Sequence, residues 1–316
     1  MGLKDTVTAK YMGQNEIFAD VFNYFIYNGE QVIDPDSLEE LDTLEVDVPY
    51  GGEDGAQQPV QRTRDVIKSL VAMMDSRTAY LVLAVENQSN IHNAMPVKNM
   101  VYDALQYAKQ VSNAAASHKR SGDYQGTGSD EYLSGFMKQD RLLPVVTLVV
   151  YFDSKEWDRP LSIHEMFGEQ DARVLALVPD YKINLIAPVS ISDGDFDRFR
   201  TSLKEVLSFI KYSQDADRLE EILKADEGFR HLGRTEVDVL NACVGAKLTM
   251  EKGKGAMDVC QAIEEMNQNA SEKERISTLL KSIEKLMEKA GWSAEHSMDV
   301  LDVSERDRKE LKLLIR

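Results

Sequence analysis

Apolar and polar positions follow regular patterns along the chain and predict its first elements. Apolar residues recur at helical spacing over residues 14–27, which predicts an amphipathic first helix. The turn-forming pair Asn28-Gly29 ends this helix. Residues 41–50 alternate between apolar and polar side chains and predict a half-buried strand, and residues 60–70 predict a second strand after a loop.

Two nearly continuous apolar segments predict the centre of a sheet. Residues 79–85 (AYLVLAV) and 143–152 (LPVVTLVVYF) have the composition of strands that are buried on both faces. A long helix over residues 93–117 separates them, and residues 183–186 predict a short further strand. After residue 194 every segment has helical spacing. This order predicts an α/β fold with a mixed central sheet flanked by helices and an all-helical C-terminal extension.

The chain divides into three predicted regions. Residues 1–193 form the α/β domain, residues 194–250 a helical extension, and residues 251–316 a C-terminal helical tail that follows the joint EKGKG. Within the tail we predict helices over 257–269, 272–290 and 294–303, with Gly291 as a helix stop. The tail is either similar to a helix-turn-helix or a small helical pair that packs on the core or on a second subunit.

Charge limits the kinds of partner that the chain can bind. The net charge is -17, and the first fifty residues hold 11 acidic and 2 basic side chains. Such a surface opposes non-specific DNA binding, which needs a basic footprint. A nucleic-acid function therefore requires a local basic surface, a divalent metal ion or a partner protein.

Further features indicate the compartment. The longest apolar run is far shorter than the roughly 20 residues that span a bilayer. Residues 1–10 do not have the pattern of a secretory signal. The only two cysteines, Cys243 and Cys260, indicate thiols in a reducing compartment. We expect a cytoplasmic protein that does not associate with a membrane.

Two carboxylates are the candidates for chemistry. Asp65 interrupts a strand-like stretch, and Glu86 stands at the tip of the apolar strand 79–85. Gln88 is two residues further along, on the same side of an extended chain as Glu86. Two carboxylates on adjacent strands can bind Mg²⁺, which takes one or two carboxylates together with waters and phosphate oxygens. The alternative is that both are solvated or salt-bridged strand ends.

The residues around Glu86 resemble a known family. The run from Glu86-Asn-Gln88-Ser89 through Met95, Lys98 and Tyr102 is similar to the signature of the Rpn family, recombination-promoting nucleases and transposase-like proteins of the PD-(D/E)XK nuclease superfamily. Arg64-Asp65-Val-Ile resembles the family's Asp motif, and the strand 143–151 its following strand. The similarity extends from about Asn15 to about Pro188. It implies a PD-(D/E)XK restriction-endonuclease-like core.

The resemblance also implies residue roles. Asp65 and Glu86 are the expected metal-binding carboxylates for Mg²⁺, with Mn²⁺ as a possible substitute. Gln88, where the superfamily more often has Lys, is expected to orient the attacking water. Possible supporting residues are Lys98, as a phosphate contact or a surface lysine, Tyr102, as a site or core residue, and Glu16, as a further helix carboxylate or a solvated one.

Two functions follow from these expectations. The first is a Mg²⁺-dependent DNA endonuclease that hydrolyses phosphodiester bonds as a homodimer, because cutting both strands usually takes two sites. The second is a catalytically weak or inactive protein of the same fold that acts as a DNA- or protein-binding regulatory module. The -17 charge and the neutral Gln88 favour the second function.

Overall fold

The computed structural model describes residues 3–41, 70–85, 93–122, 135–251 and 253–315. The chain forms two compact units, Met1–Met257 and Asp258–Arg316. The first unit contains the sheet and the second is helical. The helices that follow residue 194, up to Val244, belong to the first unit.

Helices and strands alternate in the first half of the chain. The described strands are β1 Glu39–Glu40, β2 Leu70–Met74, β3 Ala79–Val85, β4 Val145–Tyr151 and β5 Asn184–Ile186. The described helices of the first unit are α1 Leu3–Met12, α2 Asn15–Tyr27, α3 Met95–Ser121, α4 Ala172–Leu175, α5 Leu203–Tyr212, α6 Ala216–Ala225 and α7 Arg234–Val244.

The five strands form one mixed sheet in the order β1-β2-β3-β4-β5. β1, β2 and β3 are antiparallel neighbours, whereas β3, β4 and β5 are parallel. α3 is the crossover that joins the parallel strands β3 and β4, as parallel neighbours require. The sheet therefore has antiparallel strands on one side of β3 and a parallel βαβ unit on the other.

Side chains of β3 alternate between two helical layers. The ring of Tyr80 contacts that of Phe22 on α2, with centroids 4.9 Å apart. Leu81, the next residue, belongs instead to a buried cluster that contains Met95 and Tyr102 of α3. Because successive strand side chains point to opposite faces, α2 covers one face of β3 and α3 covers the other.

A buried carboxylate fastens α2 to the segment that leads into α5. Asp20 is 1% exposed and accepts hydrogen bonds from the backbone N–H groups of Arg200 and Thr201 and from the Thr201 hydroxyl, at 2.7–3.1 Å. Burial raises the pKa of Asp20, although these donors oppose the shift. Nearby, the Tyr11 hydroxyl lies 3.1 Å from Ser202 Oγ, which donates to Glu236 Oε1 at 2.8 Å. Polar groups thus join α1 and α2 to the later helices.

The second unit is built on one long helix. Helix α8 (Val259–Ala290) ends at Gly291, which has a φ of +70°, and is followed by α9 (Ala294–Val300) and α10 (Glu305–Leu314). The buried apolar residues of the second unit come from all three helices and from the turn before α10: Ile276, Ile283, Met298, Val303 and Leu311. Basic side chains of α10 pair within this unit, Arg308 with Asp299 and Lys312 with Glu295. The helix-turn-helix function of the tail stays a prediction.

Most predicted elements are present in the structure. The sequence predicts α2, β3, β4, β5 and the helices after residue 194 to within a few residues. The prediction misses α1 and places two helices where α8 is continuous. The predicted strands 41–50 and 60–70 lie almost wholly outside the described residues. β2 begins at Leu70, where the second prediction ends, and continues to Met74.

Replacement of Asp20 tests the contact between α2 and α5. Asp20→Ala leaves the two backbone N–H groups without their acceptor, so we expect a loss of about 2–3 kcal/mol in the free energy of unfolding. Urea unfolding followed by circular dichroism measures it. The exposed Glu30→Ala is the matched control, expected to change stability by less than about 0.5 kcal/mol. Equal stability of both variants would contradict the role of Asp20.

Candidate functional site

The candidate site lies at the end of the parallel strands β3 and β4. Their register pairs Val85, the last residue of β3, with Tyr151, the last residue of β4. In open α/β sheets, ligands bind at the carboxyl ends of the parallel strands. Glu86 follows Val85 directly in the sequence. Asp65, Glu86 and Gln88 themselves lie outside the described residues.

Glu16 lies on α2, away from this end of the sheet. It is exposed in the first turn of α2, where the neighbouring Asn15 donates to the carbonyl groups of Pro35 and Leu38. Leu38 is followed by β1, whose residue Glu39 pairs with Met74 at the end of β2. Met74 in turn pairs with Ala79 at the start of β3. Val85 is six residues further along β3, about 20 Å away along the strand. The described structure does not bring Glu16 to the carboxyl end of β3.

Lys98 and Tyr102 both lie on α3, one turn apart. Lys98 is half-buried in the first turn of the helix. Tyr102 is 5% exposed and packs in the cluster that includes Leu81, Val149 and Tyr151. Burial raises the pKa of the Tyr102 hydroxyl well above its ordinary value, so this group is a neutral hydrogen-bond donor. The packing interpretation of Tyr102 fits this environment.

Two contacts fix the direction of α3 across the sheet. The Tyr107 hydroxyl accepts a hydrogen bond from the backbone N–H of Val145, the first residue of β4. Gln110 exchanges two hydrogen bonds with the backbone of Leu143, at 2.7 and 3.2 Å. The later half of α3 therefore lies beside the start of β4. Its first turns, at Met95 and Asn99, lie towards the carboxyl ends of β3 and β4.

A half-buried acidic residue, Asp103, connects α3 to β4 and to the segment before β5. Its carboxylate accepts hydrogen bonds from Thr147 Oγ1 at 2.5 Å and from the Tyr181 hydroxyl at 2.7 Å. Burial raises the pKa of Asp103, and the two hydroxyl donors partly offset this effect. Asp103 is the only acidic residue in the 27 residues of α3. A single carboxylate in a long helix is the sequence signal that could have identified Asp103.

Several buried polar atoms near the same end of the sheet have no hydrogen-bond partner among the described residues. They are both amide atoms of Asn99, the hydroxyl of Tyr102, Nε1 of Trp157 and Nε of Arg159. Trp157 packs edge-on against Tyr151, with centroids 5.3 Å apart, which places it at the carboxyl end of β4. Buried polar groups are nearly always paired in native proteins, so this concentration identifies the region as a place where a further partner is missing.

Two searches give no result within the described parts of the chain. No group of three or more His, Cys, Asp or Glu side chains is arranged to hold a metal ion there. No described helix is long and apolar enough to cross a membrane.

The pH dependence of stability tests the environment of Asp103. A carboxyl group with a raised pKa binds its proton more tightly in the folded state. Its stabilising contribution is therefore complete below the ordinary pKa of 3.8 and is lost as the pH rises through the folded-state pKa. We expect the free energy of unfolding of Asp103→Asn, relative to wild type, to increase as the pH rises from about 4 to 7.

Urea unfolding at several pH values measures this difference. Asp140→Asn is the control of opposite sign, because the backbone N–H of Met137 lowers the pKa of Asp140. A difference between Asp103→Asn and wild type that stays constant with pH would show that the Asp103 pKa is not raised.

Comparisons with known proteins give no assignment: no family model, no curated protein and no solved structure matches this chain.

Proposed function

We propose that the protein is a Mg²⁺-dependent DNA endonuclease whose site lies at the carboxyl end of β3. The observation that carries the proposal is the described β3, a buried central strand with a parallel neighbour that leads directly into Glu86. A carboxylate at such a position is costly unless it is paired or holds a cation. The mixed sheet with helices on both faces of β3 agrees with the expected nuclease-like architecture.

The strand register supports bringing the three candidate residues together. β2 and β3 pair Leu70 with Leu83 and Val71 with Val82. We propose that the same antiparallel pairing continues for five more positions beyond Leu70 and Leu83, which would put Asp65 opposite Gln88. Directly opposed residues of antiparallel strands share a face, and so do residues two apart on one strand. Asp65, Glu86 and Gln88 would then point to the same side of the sheet.

The donor set fits magnesium. Carboxylate oxygens from Asp65 and Glu86, with remaining positions for water and phosphate oxygens, match the ligands that Mg²⁺ prefers. When bound, the ion supplies charge neutralisation at the phosphate and an activated water. Gln88 holds the attacking water by accepting its hydrogen bond through the amide oxygen. The water oxygen would form a bond to phosphorus while the bond from phosphorus to the leaving oxygen breaks. The attacking water would release one proton to solvent and the leaving oxygen would take one proton from solvent, so that the products are a phosphate monoester and a free hydroxyl.

Charge sets the requirement for a local binding surface. The chain as a whole is strongly acidic, but α3 holds one acidic residue against Lys98, Lys109, Lys119 and Arg120. Of these residues Lys98, in the first turn of α3, lies towards the same end of the sheet as the proposed site and gives DNA a locally basic group in an otherwise repulsive field. We further propose a homodimer, because two sites are needed to cut two strands together.

Cleavage of supercoiled plasmid tests the function. With Mg²⁺ or Mn²⁺ we expect nicking and linearisation by the wild type, and a loss of about 100-fold or more for Asp65→Ala and Glu86→Ala. Glu40→Ala is the matched control, because Glu40 is an exposed strand carboxylate in β1 at the other end of β3, and it should cleave as the wild type does. Melting curves of all variants check that the fold is kept.

Two outcomes would count against the endonuclease. Undiminished cleavage by Glu86→Ala would reject the acidic site. Absence of cleavage together with absence of Mg²⁺ binding by calorimetry would favour the alternative, a regulatory binding module of the same fold.

A further inference from the structure

The start of α3 has unused hydrogen-bond donors. Its N-cap, Ala94, has no side chain that can accept from the helix, and its first turn holds no acidic residue. The N–H of Lys98 donates to the Ala94 carbonyl, but neither Met95 nor Val97 donates its N–H to any described residue. The open N–H groups and the helix dipole make such an end favourable for an anion.

Asn99 is an independent indication at the same place. Its side chain is fully buried, and neither its amide nitrogen nor its amide oxygen has a partner in the described part of the chain. Helical side chains tilt towards the N-terminus, so the Asn99 amide extends towards the first turn of α3. An unpaired buried amide costs about 1–3 kcal/mol of folding stability. A bound ligand that supplies the missing hydrogen bonds offsets this cost.

The hydroxyl of Tyr102 is a second unpaired donor on the same face, one turn beyond Asn99. Burial keeps this hydroxyl protonated, and so it can donate a hydrogen bond to an anion. A buried amide N–H, a phenol O–H and open backbone N–H groups together form a set rich in donors. Such a set matches the oxygen atoms of a phosphate group.

We propose that the first two turns of α3 bind a backbone phosphate of the nucleic acid, distinct from the phosphate that is cut. The inference rests on the proposed nuclease function for the identity of the ligand, but the anion site stands on α3 alone. The Asn99 amide and the N–H groups of the first turn take the phosphate oxygens, and Tyr102 supports them.

Inorganic phosphate is the probe, titrated into the full-length protein in EDTA at constant ionic strength and followed by calorimetry and melting temperature. We expect wild type to bind, and Asn99→Leu to bind about tenfold more weakly, the loss of one hydrogen bond to a charged group. Without phosphate, Asn99→Leu should melt at the same or a higher temperature, because an unpaired amide has been removed. A role of Asn99 in packing alone would instead lower the melting temperature and leave the affinity unchanged.

A matched control and a second variant keep the test decisive. Gln106 is an equally buried amide on the same face, two turns further from the start of α3, and Gln106→Leu should leave phosphate affinity unchanged. If Asn99→Leu does not fold, Tyr102→Phe decides, because it removes one hydroxyl and keeps the ring; it should bind phosphate several-fold more weakly.

Three results would overturn the anion site: no phosphate binding by wild type, undiminished binding by the deciding variant, or an equal loss in Gln106→Leu. Glu86→Ala separates this site from the proposed function, since it should abolish cleavage and retain phosphate binding. Phosphate binding without any wild-type cleavage would support the anion site and reject the nuclease. Cleavage without phosphate binding would support the nuclease and reject the anion site.

Discussion

Burial of β3 on both faces is the constraint on which the described sheet depends. A strand with helices above and below it has no water to satisfy its backbone, so both of its edges must pair. β2 pairs with one edge and β4 with the other, in antiparallel and parallel directions respectively. The parallel partner requires a long crossover, and α3 supplies it. Once β3 is central, the place where its carboxyl end meets the start of α3 is fixed as well.

Polar contacts determine how α3 lies on this sheet. Apolar packing alone allows a helix to slide or rotate, because dispersion contacts have little directionality. Asp103, Tyr107 and Gln110 each bond to β4 or to the residues just before it, and these directional bonds set both the rotation and the position of the helix. In the first turns of α3, by contrast, the buried amide of Asn99 has no hydrogen-bond partner among the described residues. The helix is therefore fixed at its middle, from Asp103 to Gln110, and leaves a buried amide unpaired near its beginning.

Periodicity could predict the elements with strong apolar patterns and could not predict the others. α2, β3 and β4 have such patterns, whereas α1 has few apolar residues and buries Thr8 beside Tyr11 and Met12, so its buried face has no clear apolar signal. α8 contains the polar run 267–274, which resembles a break, but no Gly or Pro interrupts the helix there. The candidate catalytic residues could be named from a motif. Asn99 could not, because its meaning comes from burial without a hydrogen-bond partner. The role of Asp103 could not be assigned either, because its partners lie 44 and 78 positions later in the chain.

The contacts of Asp20 and Tyr11 have a consequence for synthesis of the protein. Asp20 binds residues 180 and 181 positions later, and the partner of Tyr11 lies 191 positions later. At about 5–20 residues per second, a ribosome needs roughly 10–40 s to make the chain between them. Throughout that time the apolar sides of α1 and α2 lack the helices that later cover them. The emerging chain is thus a natural client for chaperones that hold exposed hydrophobic segments until the partner segment leaves the ribosome.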